Sequence, residues 1–357
     1  MKKTAFALLS VLTVCLAVPA SAAKPGSDLG ELRNYAKRAV TRCPDSVLTL
    51  TPIPGQGPSN FQSFELLSKS KDDSCTTHKF LFYSPTTQQI VIGSAFVLPQ
   101  DKRPVNERLT EQAHQLLKAD VTTSVSPFPL PDGLKAVTIS KDTEYGPFSY
   151  EGYVDASDRF LIIGTRGNLR IDAGKSLRDA LRVDATAVRR GNPKAKVEII
   201  EFSDFECPTC ARAHKTLEPL ITKNLSKVNF GRIDFPLFEH HPWALPAALG
   251  ARAIRKVAPS EYWSYVDFVF NNQETIDKMP FDKVLQNFCQ DHDIPWAKVL
   301  PVYHSATERQ ALLEEVGRAF DNGLDATPTF MINGQIIAYG PEGATMFNAI
   351  KAALGVK

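Results

Sequence analysis

Two cysteines three positions apart, Cys207-Pro208-Thr209-Cys210, constrain this chain more than any other feature. They follow Val197-Glu198-Ile199-Ile200-Glu201-Phe202, an apolar run of the kind that forms a buried strand, and the connector Ser203-Asp204-Phe205-Glu206. Beyond them Cys210, Ala213, Leu217, Leu220 and Ile221 recur at helical spacing. The pair therefore sits where a strand ends and a helix begins. Pro208 suits the first helical turn, where its missing N–H would have no partner in any case. A helix N-terminus presents free N–H groups and the positive end of its dipole, and both stabilise an anion. A Cys207 thiolate is such an anion, so its pKa is expected to be depressed, and the thiolate is the reactive form. Cys210 lies one turn on, facing inward. This implies two jobs: Cys207 forms the mixed disulfide, and Cys210 resolves it or closes the intramolecular bond. Half of a zinc site and a purely structural disulfide are the alternatives. Zinc needs two further ligands at compatible spacing, and His214, His240, His241 and His292 form no second pair with a cysteine.

The surrounding pattern is strand, helix, strand, helical block, hairpin, helix. A second strand is expected over 228–235. Helical periodicity runs from Trp243 to about Phe320, broken at Pro259, Pro280 and Pro295. Thr329-Phe330-Met331-Ile332 and Gln335-Ile336-Ile337-Ala338-Tyr339 flank Asn333-Gly334, a strong hairpin turn. A terminal helix is expected over about 341–354. The first half reads as α+β: helices over 28–40 and 108–119, and strands over 80–83, 89–93, 136–139, 148–153 and 159–164. A polar segment, roughly 172–196, joins the halves. It holds a candidate helix (176–182), a break at Gly191-Asn192-Pro193, and Arg189-Arg190, read as a solvated pair.

Three blocks in order resemble the thioredoxin superfamily, in its DsbA-like branch: Glu201-Phe202-Ser203-Asp204-Phe205-Glu206-Cys207-Pro208-Thr209-Cys210; Asp234-Phe235-Pro236-Leu237 leading to His241-Pro242-Trp243-Ala244; and Ala326-Thr327-Pro328-Thr329-Phe330-Met331-Ile332-Asn333-Gly334. The resemblance covers about 195–355. It implies an α/β thioredoxin-like fold, a four- or five-stranded sheet with a helical insertion, preceded here by a smaller α+β domain. It further implies that Pro328 is a cis-proline beside the redox pair, whose backbone can pair with an extended substrate, and that Thr327 touches both substrate and Cys207. Glu201 matches a buried acid beneath the disulfide, able to relay the Cys210 proton; the alternative is an acid that points outward. His214 reads as packing or surface, and His240, His241 and Trp243 as caps or borders of the substrate groove. The first half matches no family. Its position before a thioredoxin domain is similar only in architecture to the DsbC/DsbG isomerases, which leaves a homodimer open.

The chain begins like a secretory leader. Lys2 and Lys3 precede an apolar run over 5–18, then Pro19 and the small-residue site Ala20-Ser21-Ala22. A membrane anchor would need about 20 apolar residues. A lipoprotein site at Cys15 is the other alternative. The expected division is a leader over 1–22, an α+β domain over 23–188 and the redox domain over 189–357, in the periplasm or secreted. The chain carries 43% hydrophobic and 22% charged residues, as soluble globular proteins do. Its formal charge is +2, with no basic block, which argues against nucleic acid as a partner. Of six cysteines, Cys15 would leave with the leader; Cys43 and Cys75 are candidates for a structural disulfide, and Cys289 reads as a buried thiol. No cofactor or metal is expected. The function expected is exchange of disulfides with exported polypeptides, as a dithiol oxidase reset by a membrane or soluble redox partner. The alternatives are a reductase or isomerase, and a chaperone-like binding module with a vestigial pair.

Overall fold

The computed structural model describes residues 28–41, 46–71, 76–337, 339–340 and 343–356. The leader, Cys15, Cys43 and Cys75 lie outside the described residues.

The first domain contains α1 (Asp28–Ala39), β1 (Val47–Pro52), β2 (Gln62–Lys69), β3 (Thr76–Tyr83), β4 (Gln89–Val97), α2 (Val105–Leu117), β5 (Thr122–Pro129), β6 (Lys135–Thr143), β7 (Gly146–Val154) and β8 (Phe160–Asn168). Its strands form one eight-stranded sheet, ordered β1-β2-β3-β4-β8-β7-β6-β5. The strands expected over 80–83 and 89–93 pair antiparallel in β3–β4, and those expected over 148–153 and 159–164 pair antiparallel in β7–β8. At the one non-consecutive neighbour, β4–β8, Gly93 faces Gly164. A Cβ on Gly93 would lie 2.0 Å from the Ile163 carbonyl oxygen, so the two backbones approach in a way only glycine allows. Leu32 and Ala36 of α1 bury Leu48, Leu66 and Leu81 at one end of the sheet. Leu109 and Ala113 of α2 bury Val137, Ile139 and Leu161 at the other.

Two short helices, α3 (Ala173–Ala180) and α4 (Val183–Thr186), lead to β9 (Val188–Gly191). Then follow β10 (Val197–Ser203), α5 (Pro208–Lys223), β11 (Val228–Asp234), a helical insertion of α6 (Ala244–Val257), α7 (Tyr262–Asn271), α8 (Gln273–Ile276), α9 (Phe281–Asp291), α10 (Trp296–Tyr303) and α11 (Ala306–Asp321), and finally β12 (Thr329–Ile332), β13 (Gln335–Ile337) and α12 (Ala344–Leu354). The five strands are ordered β13-β12-β10-β11-β9. β10 and β11 are parallel, because α5 carries the chain back across the sheet. β10 is covered on both faces, which explains its nearly continuous apolar run. Ile199 packs with Ala213, Leu217 and Ile350, and Ile200 packs towards the helical block with Leu245 and Tyr265.

The Arg189-Arg190 pair corrects the reading of this stretch as solvated linker. Both residues belong to β9, which pairs antiparallel with β11. Arg190 stacks 4.1 Å from the Trp263 ring and pairs with Glu218, and Arg189 pairs with Glu198 at 3.0 Å. Neither partner is near in sequence pattern, so nothing local distinguishes this pair from a solvated one.

The two domains pack together. α11 lies across β7, where a Cβ on Gly317 would come 2.4 Å from the Ser149 carbonyl oxygen. Phe148 of β7 is fully buried in the second domain's core, edge-on to Phe238 at 5.4 Å.

Candidate active site

Cys207 is the N-cap residue of α5, with Pro208 in the first turn. It is 7% exposed, and Cys210, one turn along, is fully buried. Both are thiols in this structure. Cys207 is pulled down to about 5. The hydrogen bond from the Cys210 thiol is the largest cause; the Thr327 side chain and the N–H groups of Cys210 and Thr209 add to it, against the opposing effect of burial. Cys210 moves the other way, well above the ordinary thiol value. Burial is the main cause, the neighbouring Cys207 sulfur the next, and the Glu201 charge contributes. One thiol is thus held ready to ionise at neutral pH while its partner keeps its proton.

The other residues singled out in the sequence arrive from two further directions. Thr327 and Pro328 lie between α11 and β12, and the peptide bond joining them is cis. The Thr327 carbonyl oxygen is 3.5 Å from Cys207 Sγ, a contact spanning 120 residues. Pro328 is buried beside it. Glu201 lies on β10 between Arg232 of β11 and Phe330 of β12. It is 3% exposed, and among the described residues its Oε1 has no hydrogen-bond partner. A buried oxygen without a partner costs free energy, and most buried polar atoms in folded proteins have one.

Sequence reasoning read His241 and Trp243 as caps or borders of a groove and passed over Asp204, Glu206 and Gln273, which brace the turn with them. Asp204 is buried, and its carboxylate accepts from the N–H of Glu206 and of Leu237, each at 2.8 Å. Its Oδ2 also pairs with His241 Nδ1 at 2.7 Å, and this bond raises the His241 pKa. The backbone N–H of Asp204 donates to Cys210 Sγ at 3.5 Å. Glu206 accepts from the Trp243 N–H at 2.6 Å, and burial pushes its carboxyl up to about 7. Gln273 donates from Nε2 to the carbonyls of Phe205 and Cys207, at 2.7 and 3.2 Å. The two acids flank Phe205 just ahead of Cys207 and were visible as such, whereas Gln273, at a helix break, carries no local signal. His214 packs against Phe270 and bonds Asp267 at 2.7 Å, a structural role. Cys289 is a buried free thiol on α9, and burial raises it to about 11. Among the described residues, the only group of side chains spaced like metal ligands is His214, Glu218 and Asp267, and it includes neither cysteine of the pair.

The thioredoxin family model matches residues 184–352. The C-terminal half is a thioredoxin-superfamily domain. Its helical insertion, α6 to α11, is the feature implied by the DsbA-like resemblance. Similar solved structures include oxidised BdbD from Bacillus subtilis, 19% identical, covering 48% of this chain and 95% of that one, with a TM-score of 0.41. The thiol-disulfide exchange protein alpha-DsbA2 from Wolbachia pipientis is 19% identical over 53% of this chain and 98% of its own, with a TM-score of 0.43. Among curated proteins, the chain is 28% identical over 148 residues to a Na(+)/H(+) antiporter NhaA 3 from Salinispora tropica, covering 41% of this chain and 21% of that protein. It is 26% identical over 173 residues to an NhaA 1 from Mycolicibacterium gilvum, covering 26% of it. The chain thus spans about a fifth to a quarter of the length of these curated relatives. Among the described residues, no helix is long and apolar enough to cross a membrane.

Proposed function

We propose that this chain is an exported thiol–disulfide oxidoreductase that donates the Cys207–Cys210 disulfide to polypeptides bearing cysteine pairs. The observation that carries this reading is the opposed setting of the two thiols: Cys207 caps the helix N-terminus against the Thr327 carbonyl, and Cys210 is fully buried one turn on. A low Cys207 pKa stabilises the dithiol form and makes Cys207 a good leaving group, and both favour an oxidising couple. In the first step a substrate thiolate attacks Cys207 Sγ; the Cys207–Cys210 bond breaks, and Cys210 leaves with the electron pair and takes up a proton. In the second step the other substrate thiolate attacks the substrate sulfur of the mixed disulfide and releases Cys207 as a thiolate. The substrate dithiol is oxidised by two electrons and the enzyme pair is reduced by two. A membrane or soluble redox partner then reoxidises the pair. The 327–328 backbone offers an edge to an extended substrate.

Equilibration of the purified protein with glutathione tests the direction of exchange. A reduction potential near −120 mV is expected, and one near −270 mV would assign the protein to reductases instead.

Glu201 relays a proton from water to the departing Cys210 sulfur and ends the step as the carboxylate it began as. Glu201→Gln is therefore expected to slow exchange with a reduced polypeptide on the order of tenfold or more. Stopped-flow rates equal to those of the unchanged protein would rule out the relay.

A further inference from the structure

The eight-stranded domain reaches the redox turn through one hairpin. β6 and β7 turn at Glu144 and Tyr145, and this tip rests on residues 237–243, the connector from β11 to α6. Tyr145 donates its hydroxyl to the Pro242 carbonyl oxygen at 3.0 Å, and its ring stands edge-on to Phe238 at 5.7 Å. Lys141 pairs with Glu239, and Phe148 packs against Phe238 from the other side of the hairpin tip. The same connector grips the turn that carries the cysteines. Leu237 and His241 both bond Asp204, and the Trp243 N–H bonds Glu206. Asp204 in turn accepts from the Cys207 N–H at 3.3 Å and donates to Cys210 Sγ. Direct contacts therefore run without a gap from the N-terminal domain to the Cys207 backbone and the Cys210 sulfur.

The connector also carries charge to the site. His241 is half-buried, and the Cys207 thiolate is among the groups that raise its pKa. The interaction is reciprocal, so protonated His241 stabilises the Cys207 thiolate by the same amount. The other charged and titratable groups around the pair are Cys210 and Arg212 on α5, Glu201 on β10, Arg232 on β11, Asp204 and Glu206 in the turn, and Tyr339 beyond β13. Of the positive groups, His241 alone sits on the connector, and its distance from the sulfur depends on where the connector lies. The connector is neither helix nor strand, so it relies on its contacts to hold its place.

The structure assigns Tyr145 as a positioning residue for the redox pair: the β6–β7 hairpin clamps the 237–243 connector so that His241 stays beside Cys207. This gives the N-terminal domain a role in setting the reactivity of the C-terminal one. It rests on the redox reading of the pair.

The experiment follows the ultraviolet absorbance of the thiolate against pH in the reduced full chain. Tyr145→Ala is expected to raise the proton affinity of Cys207 about threefold or more, and Tyr145→Phe, which keeps the ring, to raise it less. In a His241→Asn background the Tyr145 effect should vanish, because the group it positions is gone. Phe128→Ala, on a 78%-exposed residue of the same domain, is the control and should leave the midpoint in place. An unmoved midpoint in both Tyr145 variants overturns the clamp, and so does a Tyr145 effect that persists without His241. If Tyr145→Ala fails to fold, Tyr145→Phe decides alone, and an unmoved midpoint overturns the clamp. Titration needs no exchange activity. A shifted midpoint in a protein that exchanges nothing would refute only the proposed function, and active exchange with an unmoved midpoint would refute only the clamp.

Discussion

Cys207→Ser is expected to reduce disulfide exchange to background, a loss on the order of a thousandfold or more. A serine hydroxyl does not ionise near neutral pH and forms no disulfide, so neither step of exchange can begin. Cys210→Ser should behave differently: Cys207 still attacks a disulfide-bonded polypeptide, one substrate sulfur leaves as a thiolate, no second enzyme thiol resolves the product, and a covalent complex accumulates. Oxidation of a reduced polypeptide reads the first variant, and incubation of the second with an oxidised polypeptide, followed by non-reducing electrophoresis, reads the other. Activity surviving in Cys207→Ser would show that this pair is not the exchange centre, and a wild-type protein that exchanges nothing would leave a binding module as the better description. The same residue makes the stability of the reduced protein depend on pH. Its folded pKa, about 5, lies below the ordinary thiol value of 9.0. The thiolate's contribution is therefore fully present above about pH 9 and is lost as pH falls through about 5. The stability difference between reduced wild type and Cys207→Ser should shrink over that window.

Arg232→Met is expected to destabilise the fold by about 3–5 kcal/mol. Arg232 is the largest of the fully buried side chains, set 3.9 Å from the Phe205 ring, paired with Asp234 and within reach of the Tyr262 hydroxyl at 3.5 Å. Glu201 is its register neighbour across β10 and β11. Burial alone would discourage its charge, but the Asp234 and Glu201 carboxylates outweigh that and hold it protonated. Methionine fills much of the same space and removes the charge, leaving two carboxylates without their counterion in a dry interior. A loss of that size corresponds to a fall in Tm on the order of 10 °C. Urea denaturation of the two proteins measures it, and a difference below about 1 kcal/mol would show that the buried charge carries no such weight.

Both predictions concern one strand-to-helix junction and the layer beneath it. The brace around this junction comes from distant parts of the chain. Asp204 and Glu206 lie in the turn itself, while Leu237, His241 and Trp243 come from the connector and Gln273 from the start of α8. The Asp204 and Glu206 carboxylates and the Phe205 and Cys207 carbonyls are thereby held by partners outside the turn, and this rigidity keeps Cys207 at the helix N-terminus.

Much of this was legible in the residues alone. The apolar run of β10, the placement of Cys207 ahead of an amphipathic α5, the β12–β13 hairpin around Asn333-Gly334 and the breaks in the helical block are local patterns. Side-chain period, proline and a preferred turn suffice to define them. The order of the eight-stranded sheet was not legible, because β4 and β8 meet across some 70 residues through facing glycines that no periodicity marks. Nor was the true setting of Arg189-Arg190, which depends on Trp263 and Glu218.

The same boundary runs through the cysteine pair. Its spacing and its place at the start of a helix follow from the amino-acid order, and with them the division of labour between an attacking and a resolving sulfur. How far the two thiols diverge depends on burial, on Thr327 reaching Cys207 from 120 residues away, and on a connector held by another domain. Desolvation and charge–charge energies are set by distances in space, and those exist only once the chain has folded.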